Sequence, residues 1–191
     1  MSADRRGAAP RQAIAAADAA FWQARATALG ADGAAPLSAA AVEVAEWARL
    51  KCSYGCPDHG RRRTCPPFSP SAAEFRAVLA GYESTLLLWV EAGDDLTAER
   101  RRLHEATLAV EREAFLSGLH KAFALLEGAC LWCTDDEPCA PQACRHPELV
   151  RPSLSGCGVD VFATAAAAGV TLRVARARGD SFRLLGLVLL A

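Results

Sequence analysis

The chain has 191 residues, of which 52% are hydrophobic, and 21 basic against 22 acidic side chains leave a formal net charge of −1. That length buries a sizeable core without crosslinks, and that hydrophobic content lies outside the disordered range. The near-neutral balance excludes a global field for nucleic acid or for an anionic membrane. The most apolar run, Leu184 to Ala191, is too short to span a bilayer, and Met1 to Arg11 leads into no apolar signal segment. The expectation is a soluble cytoplasmic protein, with neither nucleic acid nor membrane among its partners. In a reducing compartment, eight cysteines point to metal or redox chemistry rather than to disulfides.

Residues 12–29 read as an alanine-rich helix stopped by Gly30, and "GADGAAP" (30–36) as a turn or linker. Residues 1–36 are thus expected to form an N-terminal helical appendage to a domain over 37–191. In "SAAAVEVAEWARL" (38–50) the apolar positions fit neither period cleanly, so strand and helix compete. Residues 51–70 carry three cysteines, three arginines and four prolines and are expected to be irregular. Ser71 is placed to cap a short helix, Ala72 to Ala80.

"STLLLWVE" (84–91) is a strand by its bulky apolar run. A turn at "AGDDLT" leads to a long helix from about Ala98 to Ser117, with Leu103, Ala106, Val110 and Ala114 on one face. Lys121 to Leu126 fits a strand or a continued helix, and Gly118 favours a break. From Cys130 to Cys144, the prolines in and just after the segment (Pro138, Pro141, Pro147) forbid a regular element. Gly158 to Ala168 reads as a helix ended by Gly169, residues 170–176 as a half-buried strand, and 182–190 as a final core strand. The sum is a single α+β domain, with helices packed on a mixed or mainly antiparallel sheet of about four strands and two irregular cysteine-rich metal loops.

The chemistry lies in those loops. The first holds Cys52-x3-Cys56-x8-Cys65 and the second Cys130-x2-Cys133-x5-Cys139-x4-Cys144. A C-x2-C pair puts two thiolates on one tight turn, where both reach one metal. Four cysteines in fifteen residues suffice for a tetrahedral zinc site or for the corners of a [4Fe–4S] cluster. Thiolate softness suits both. The number of cysteines, the lack of a second C-x2-C pair and the nearby cations favour iron–sulfur. Arg61, Arg62, Arg63 and Arg145 are candidates to stabilise a negatively charged cluster, with Arg151 also near. The fourth ligand of the first group is left open among Cys157, Cys139, a histidine and an external molecule. Cys157 itself reads better as a small buried apolar residue. His59 and His146 read as hydrogen-bonding or surface residues, and His104 and His120 as helical surface. No phosphate loop, nucleophile elbow, zinc-protease motif or carboxylate pair is present, so whether the protein is an enzyme stays open. The expected partner of an iron–sulfur protein is a redox protein. The alternatives are a zinc-structured interaction module and an oxidoreductase using Cys130 and Cys133 as a dithiol.

"KCSYGCPDHGRRRTCPPFSP", "CRHPELVRPSLSGCGVDV" and the ending "LLGLVLL" resemble a prokaryotic family described as predicted metal-binding protein, a domain of unknown function. The likeness runs from about Trp47 to the C-terminus. It implies cysteine-bound metal on Cys52, Cys56, Cys65, Cys130, Cys133 and Cys144, and no particular reaction. Relatives carry a further cysteine where this chain has Asp136; the resemblance leaves Cys139 or Asp136 to replace it.

Overall fold

The computed structural model describes residues 16–133, 139–177 and 180–191. Residues 12–15 of the expected first helix, Asp136 and part of the turn before the last strand lie outside them. Strands β2 (Ser84–Ala92) and β4 (Phe182–Leu189) pair antiparallel along their length, Thr85 facing Leu189 and Ala92 facing Phe182. Strand β1 (Gly33–Ser38) lies outside β2, and β3 (Phe123–Leu125) lies along the end of β4. The order is β1-β2-β4-β3 with every pair antiparallel, so the α+β class and the four-stranded antiparallel sheet stand as the sequence predicts.

The two central strands are apolar on both faces because both faces are covered. Leu86, Leu88, Val90, Leu184 and Val188 face helices α1 (Ala16–Ala28) and α4 (Leu96–Leu116), where they meet Trp22, Ala26, Leu103, Ala106 and Val110. Leu87, Leu185, Leu187 and Leu189 point the other way. They pack against Phe75 and Leu79 of α3 (Ala72–Leu79), Ala165 of α5 (Val161–Ala167), and Leu154 and Val159. Each fully buried leucine contributes about 2 kcal/mol. Gly186 lets α4 approach the sheet, since a Cβ there would strike Thr107.

The helix starts follow local chemistry. Ser71 and Glu74 form a reciprocal capping box on α3, the Asp95 carboxylate accepts from the Ala98 N–H at 3.0 Å on α4, and Asp160 caps α5. Gly118, at φ 104°, separates α4 from β3, and the Lys121 to Leu126 alternative resolves as a strand over Phe123–Leu125 only.

Four expectations are corrected. The stretch taken as a turn or linker becomes β1 from Gly33 onward; Pro36 is accommodated there because β1 is an edge strand. Residues 170–176 form no strand. Val170 is buried in the apolar cluster and Leu172 packs partly against it, but Arg173 to Arg176 are exposed and enter no ladder. The first cysteine segment is not irregular throughout, because helix α2 (Glu46–Ser53) carries Cys52 in its last turn. The helix expected from Gly158 starts at Val161, after a 3-10 turn over Ser155–Cys157 and Gly158 at φ 83°.

Candidate metal centre

The first loop leaves α2 at Tyr54 and folds by short-range bonds. The Gly60 N–H donates to the Pro66 carbonyl at 2.8 Å, the Arg61 N–H to Asp58 at 3.0 Å, and the Phe68 and Ser69 N–H groups to the Cys65 carbonyl. Gly60, at φ 72°, makes the turn a side chain would strain. These bonds bring the three cysteines to one place: Cys52 and Cys56 half-buried, Cys65 buried. Burial pushes the Cys65 thiol up to about 11; the Thr64 hydroxyl opposes the rise, and Asp58, Cys56 and Cys52 add to it. Burial also raises Cys52, helped by Cys56 and opposed by Arg49.

The second loop starts at buried Cys130, on the same layer of the molecule. Burial pushes this thiol up to about 11; the Trp132 backbone N–H opposes, and Cys133, Cys139 and Cys144 add to the rise. Cys133 is raised by burial, by Cys139 through charge and a hydrogen bond, and by Cys144, with Arg145 acting against them. Cys139 and Cys144 thus lie near enough to act on the C-x2-C pair through charge, and Cys139 through a hydrogen bond to Cys133.

The two loops touch. Thr64, fully buried, accepts the Cys130 N–H on its hydroxyl at 3.1 Å, and the same oxygen lies 3.5 Å from the Cys65 sulfur. The Arg63 guanidinium donates to the Pro141 carbonyl at 3.0 Å. Beneath both runs "RPSLSGCG". The Ser153 N–H donates to the Thr64 carbonyl at 3.0 Å, and the Ser69 hydroxyl to the Gly156 carbonyl at 2.9 Å. Arg49 donates to Gly156 as well, and to the Pro70 carbonyl at 2.5 Å. A Cβ on Gly156 would lie 3.0 Å from the Ser69 hydroxyl and 3.2 Å from the Thr64 carbonyl, so only glycine lets this base approach the loop. Arg151 holds the segment's start, with a two-pronged pair to Glu111 of α4 at 2.8 Å to Oε1 and 2.9 Å to Oε2.

Of the arginines proposed from sequence, Arg62 pairs with Asp58 at 3.2 Å, Arg63 links the loops, and Arg145 lies close enough to favour the Cys133 thiolate. Arg61 is exposed. Cys157 is wholly buried among Leu154, Val159 and Ala165, and burial pushes its thiol up to about 12. His59 is exposed and His146 half-buried. His104 departs from the sequence reading. It lies on the inner face of α4, fully buried, with Nε2 2.7 Å from the Glu127 carbonyl just before the second loop. Sequence reasoning missed Thr64, Arg49, Ser153 and Gly156. The signal for them is their place beside the cysteines and inside the "RPS" motif.

All eight cysteines are free thiols. Among the described residues, no three or more His, Cys, Asp or Glu side chains lie together as a group that could hold a metal ion. The donor chemistry fits a metal all the same. Thiols drawn together in two neighbourhoods hinder one another's ionisation, and a bound cation reverses that penalty. No helix among the described residues is long and apolar enough to cross a membrane.

No curated protein matches the chain, and no solved structure does. A family profile does match, over residues 35–190, from the middle of β1 to the end of the last strand, and takes in every cysteine of both loops. The chain belongs to the family described as predicted metal-binding protein (DUF2284).

Proposed function

We propose that this is a cytoplasmic iron–sulfur protein acting in electron transfer or redox sensing with a protein partner. The observation that carries the reading is the four-thiol neighbourhood of Cys130, Cys133, Cys139 and Cys144, in which the other three raise Cys130. Cys139 then takes the place of the cysteine that the family resemblance sets at Asp136. Cys52, Cys56 and Cys65 form a second, three-thiol set whose remaining ligand comes from outside these residues. A cluster, when bound, stores and passes single electrons. The chain's own part is to hold the thiols as thiolates, keep water from Cys65 and Cys130 by burial, and supply positive charge from Arg62, Arg63 and Arg145. Arg61, exposed beside them, adds to the field a docking partner meets.

Anaerobic purification followed by iron, acid-labile sulfide and visible absorption measurements tests this. Brown protein with iron and sulfide in comparable amounts is the expected result. A colourless protein that holds zinc and takes up no iron on anaerobic reconstitution would replace the reading with a zinc-structured interaction module. A metal-free protein cycling between dithiol and disulfide at Cys130 and Cys133 would replace it with an oxidoreductase. Cys139→Ser should lower the iron content; unchanged iron would remove Cys139 from the ligand set.

A further inference from the structure

We propose that Thr64 couples the two thiol sets, so that metal held by Cys52, Cys56 and Cys65 strengthens metal binding by Cys130, Cys133, Cys139 and Cys144. This rests on the metal-binding reading above, not on the identity of the metal. Thr64 has one hydroxyl proton and touches both sets. Its oxygen accepts the Cys130 N–H at 3.1 Å and lies 3.5 Å from the Cys65 sulfur. While Cys65 is a free thiol, either atom can donate in that contact. Once Cys65 is metal-bound it is a thiolate without a proton, and the hydroxyl must donate to it. That donation polarises the oxygen, which then accepts more strongly from Cys130. The Cys130 amide is the entry to the C-x2-C turn, so a firmer bond there fixes the first ligand of the second set.

Burial makes the relay selective. Thr64 is 0% exposed, so water cannot replace either partner when the bond is lost. Its backbone is fixed independently, by the Ser153 N–H on its carbonyl at 3.0 Å. A second link between the loops among the described residues, from Arg63 to the Pro141 carbonyl, is exposed and involves a backbone oxygen instead of a sulfur. Thr64 is therefore a positioning residue that acts through the cysteines on either side of it.

Cobalt(II) titration of the reduced, metal-free full chain tests the coupling, because cobalt–thiolate absorption reports each site whatever the native metal is. The paired variant Cys52→Ser with Cys56→Ser removes the first set. It should weaken cobalt binding at the second set by about fivefold or more in a Thr64 background. In a Thr64→Val background the same pair should change the affinity less than about twofold, as a double-mutant cycle requires when the linking group is gone. Thr64→Ser, which keeps the hydroxyl, should restore the coupling. Equal second-set affinity with and without Cys52 and Cys56 overturns the proposal without any Thr64 variant, so a Thr64→Val chain that misfolds leaves it open to refutation. Equal weakening in both backgrounds also overturns it. Absence of cobalt–thiolate absorption at both sets overturns the metal-binding reading and the coupling together.

Discussion

Among the described residues, the first cysteine loop is bonded to its surroundings along residues 60–70, whereas the second is fastened where it enters, at Cys130 and Leu131. Residues 60–70 receive bonds from Arg49 and Ser153, give one from the Ser69 hydroxyl to the Gly156 carbonyl, and close their own turns on Cys65. The second loop is fastened where it enters, at Cys130 by Thr64 and at Leu131 by Arg101, and where it leaves, through Arg151 on Glu111. Beyond its entry the Ala143 N–H donates to the Ala140 carbonyl, and Arg63 reaches across to Pro141. The described bonds of the first loop converge on Cys65 and those of the second on Cys130, the buried thiol of each set.

The sharpest way to break that contrast is to cut the second loop's exit. Arg151→Ala leaves Glu111 with only the Ala124 N–H in place of its guanidinium, and the paired side chains are only 19% and 11% exposed. The loss should be about 4 kcal/mol in urea unfolding of the metal-free protein.

Next comes the floor under the loop's entry. Burial holds His104 down at about 4 from an ordinary 6.5; the Glu127 carbonyl opposes this, and Arg100 and Arg101 add to it. The unfolded chain therefore takes up a proton at this residue that the native protein refuses. The penalty is absent above pH 6.5, grows as pH falls toward 4 and saturates below it, at about 3 kcal/mol. His104→Gln should remove most of the stability difference between pH 7 and pH 5. Glu127, raised by burial, titrates with the opposite sign above its ordinary value, so the paired comparison isolates the histidine. An unchanged pH difference in the variant would refute the assignment.

Gly156→Ala presses on the base of the first loop, and should cost about 2 kcal/mol by overpacking. It should disturb the three-thiol set before the four-thiol set in cobalt titrations. The smallest effect is expected at Cys157→Ala: about 1 kcal/mol from a shallow cavity, with metal content unchanged. A loss of metal would make Cys157 a ligand.

The sequence was legible where a segment's own residues decide its structure. The unbroken apolar runs of β2 and β4, the Ser71–Glu74 box and the face of Leu103, Ala106 and Val110 all announce themselves. β1 does not, because "GAAPLS" has weak strand propensity and is held by its neighbour β2. Residues 170–176 alternate correctly, yet alternation supplies no partner strand, and Arg183 meets the Thr171 carbonyl through its side chain instead of a ladder. His104 looked superficial because its helix is polar in sequence; burial depended on the Glu127 carbonyl arriving from 23 residues away. In the site, spacing identified the cysteines. The contact between their loops was illegible, since it rests on one threonine meeting an amide 66 residues downstream.

The two-sided sheet has a kinetic consequence. Its two apolar clusters share only the strand layer, one closed by α1 and α4 and the other by α3, α5 and the segment beneath the cysteine loops. Two such half-cores can open separately. Native-state hydrogen exchange should then resolve two cooperative units, with the amides of α4 outlasting those of α3 and α5. The metal loops ride on the unit expected to open first, so their buried thiols should react with solvent reagents at the rate of that local opening rather than of global unfolding.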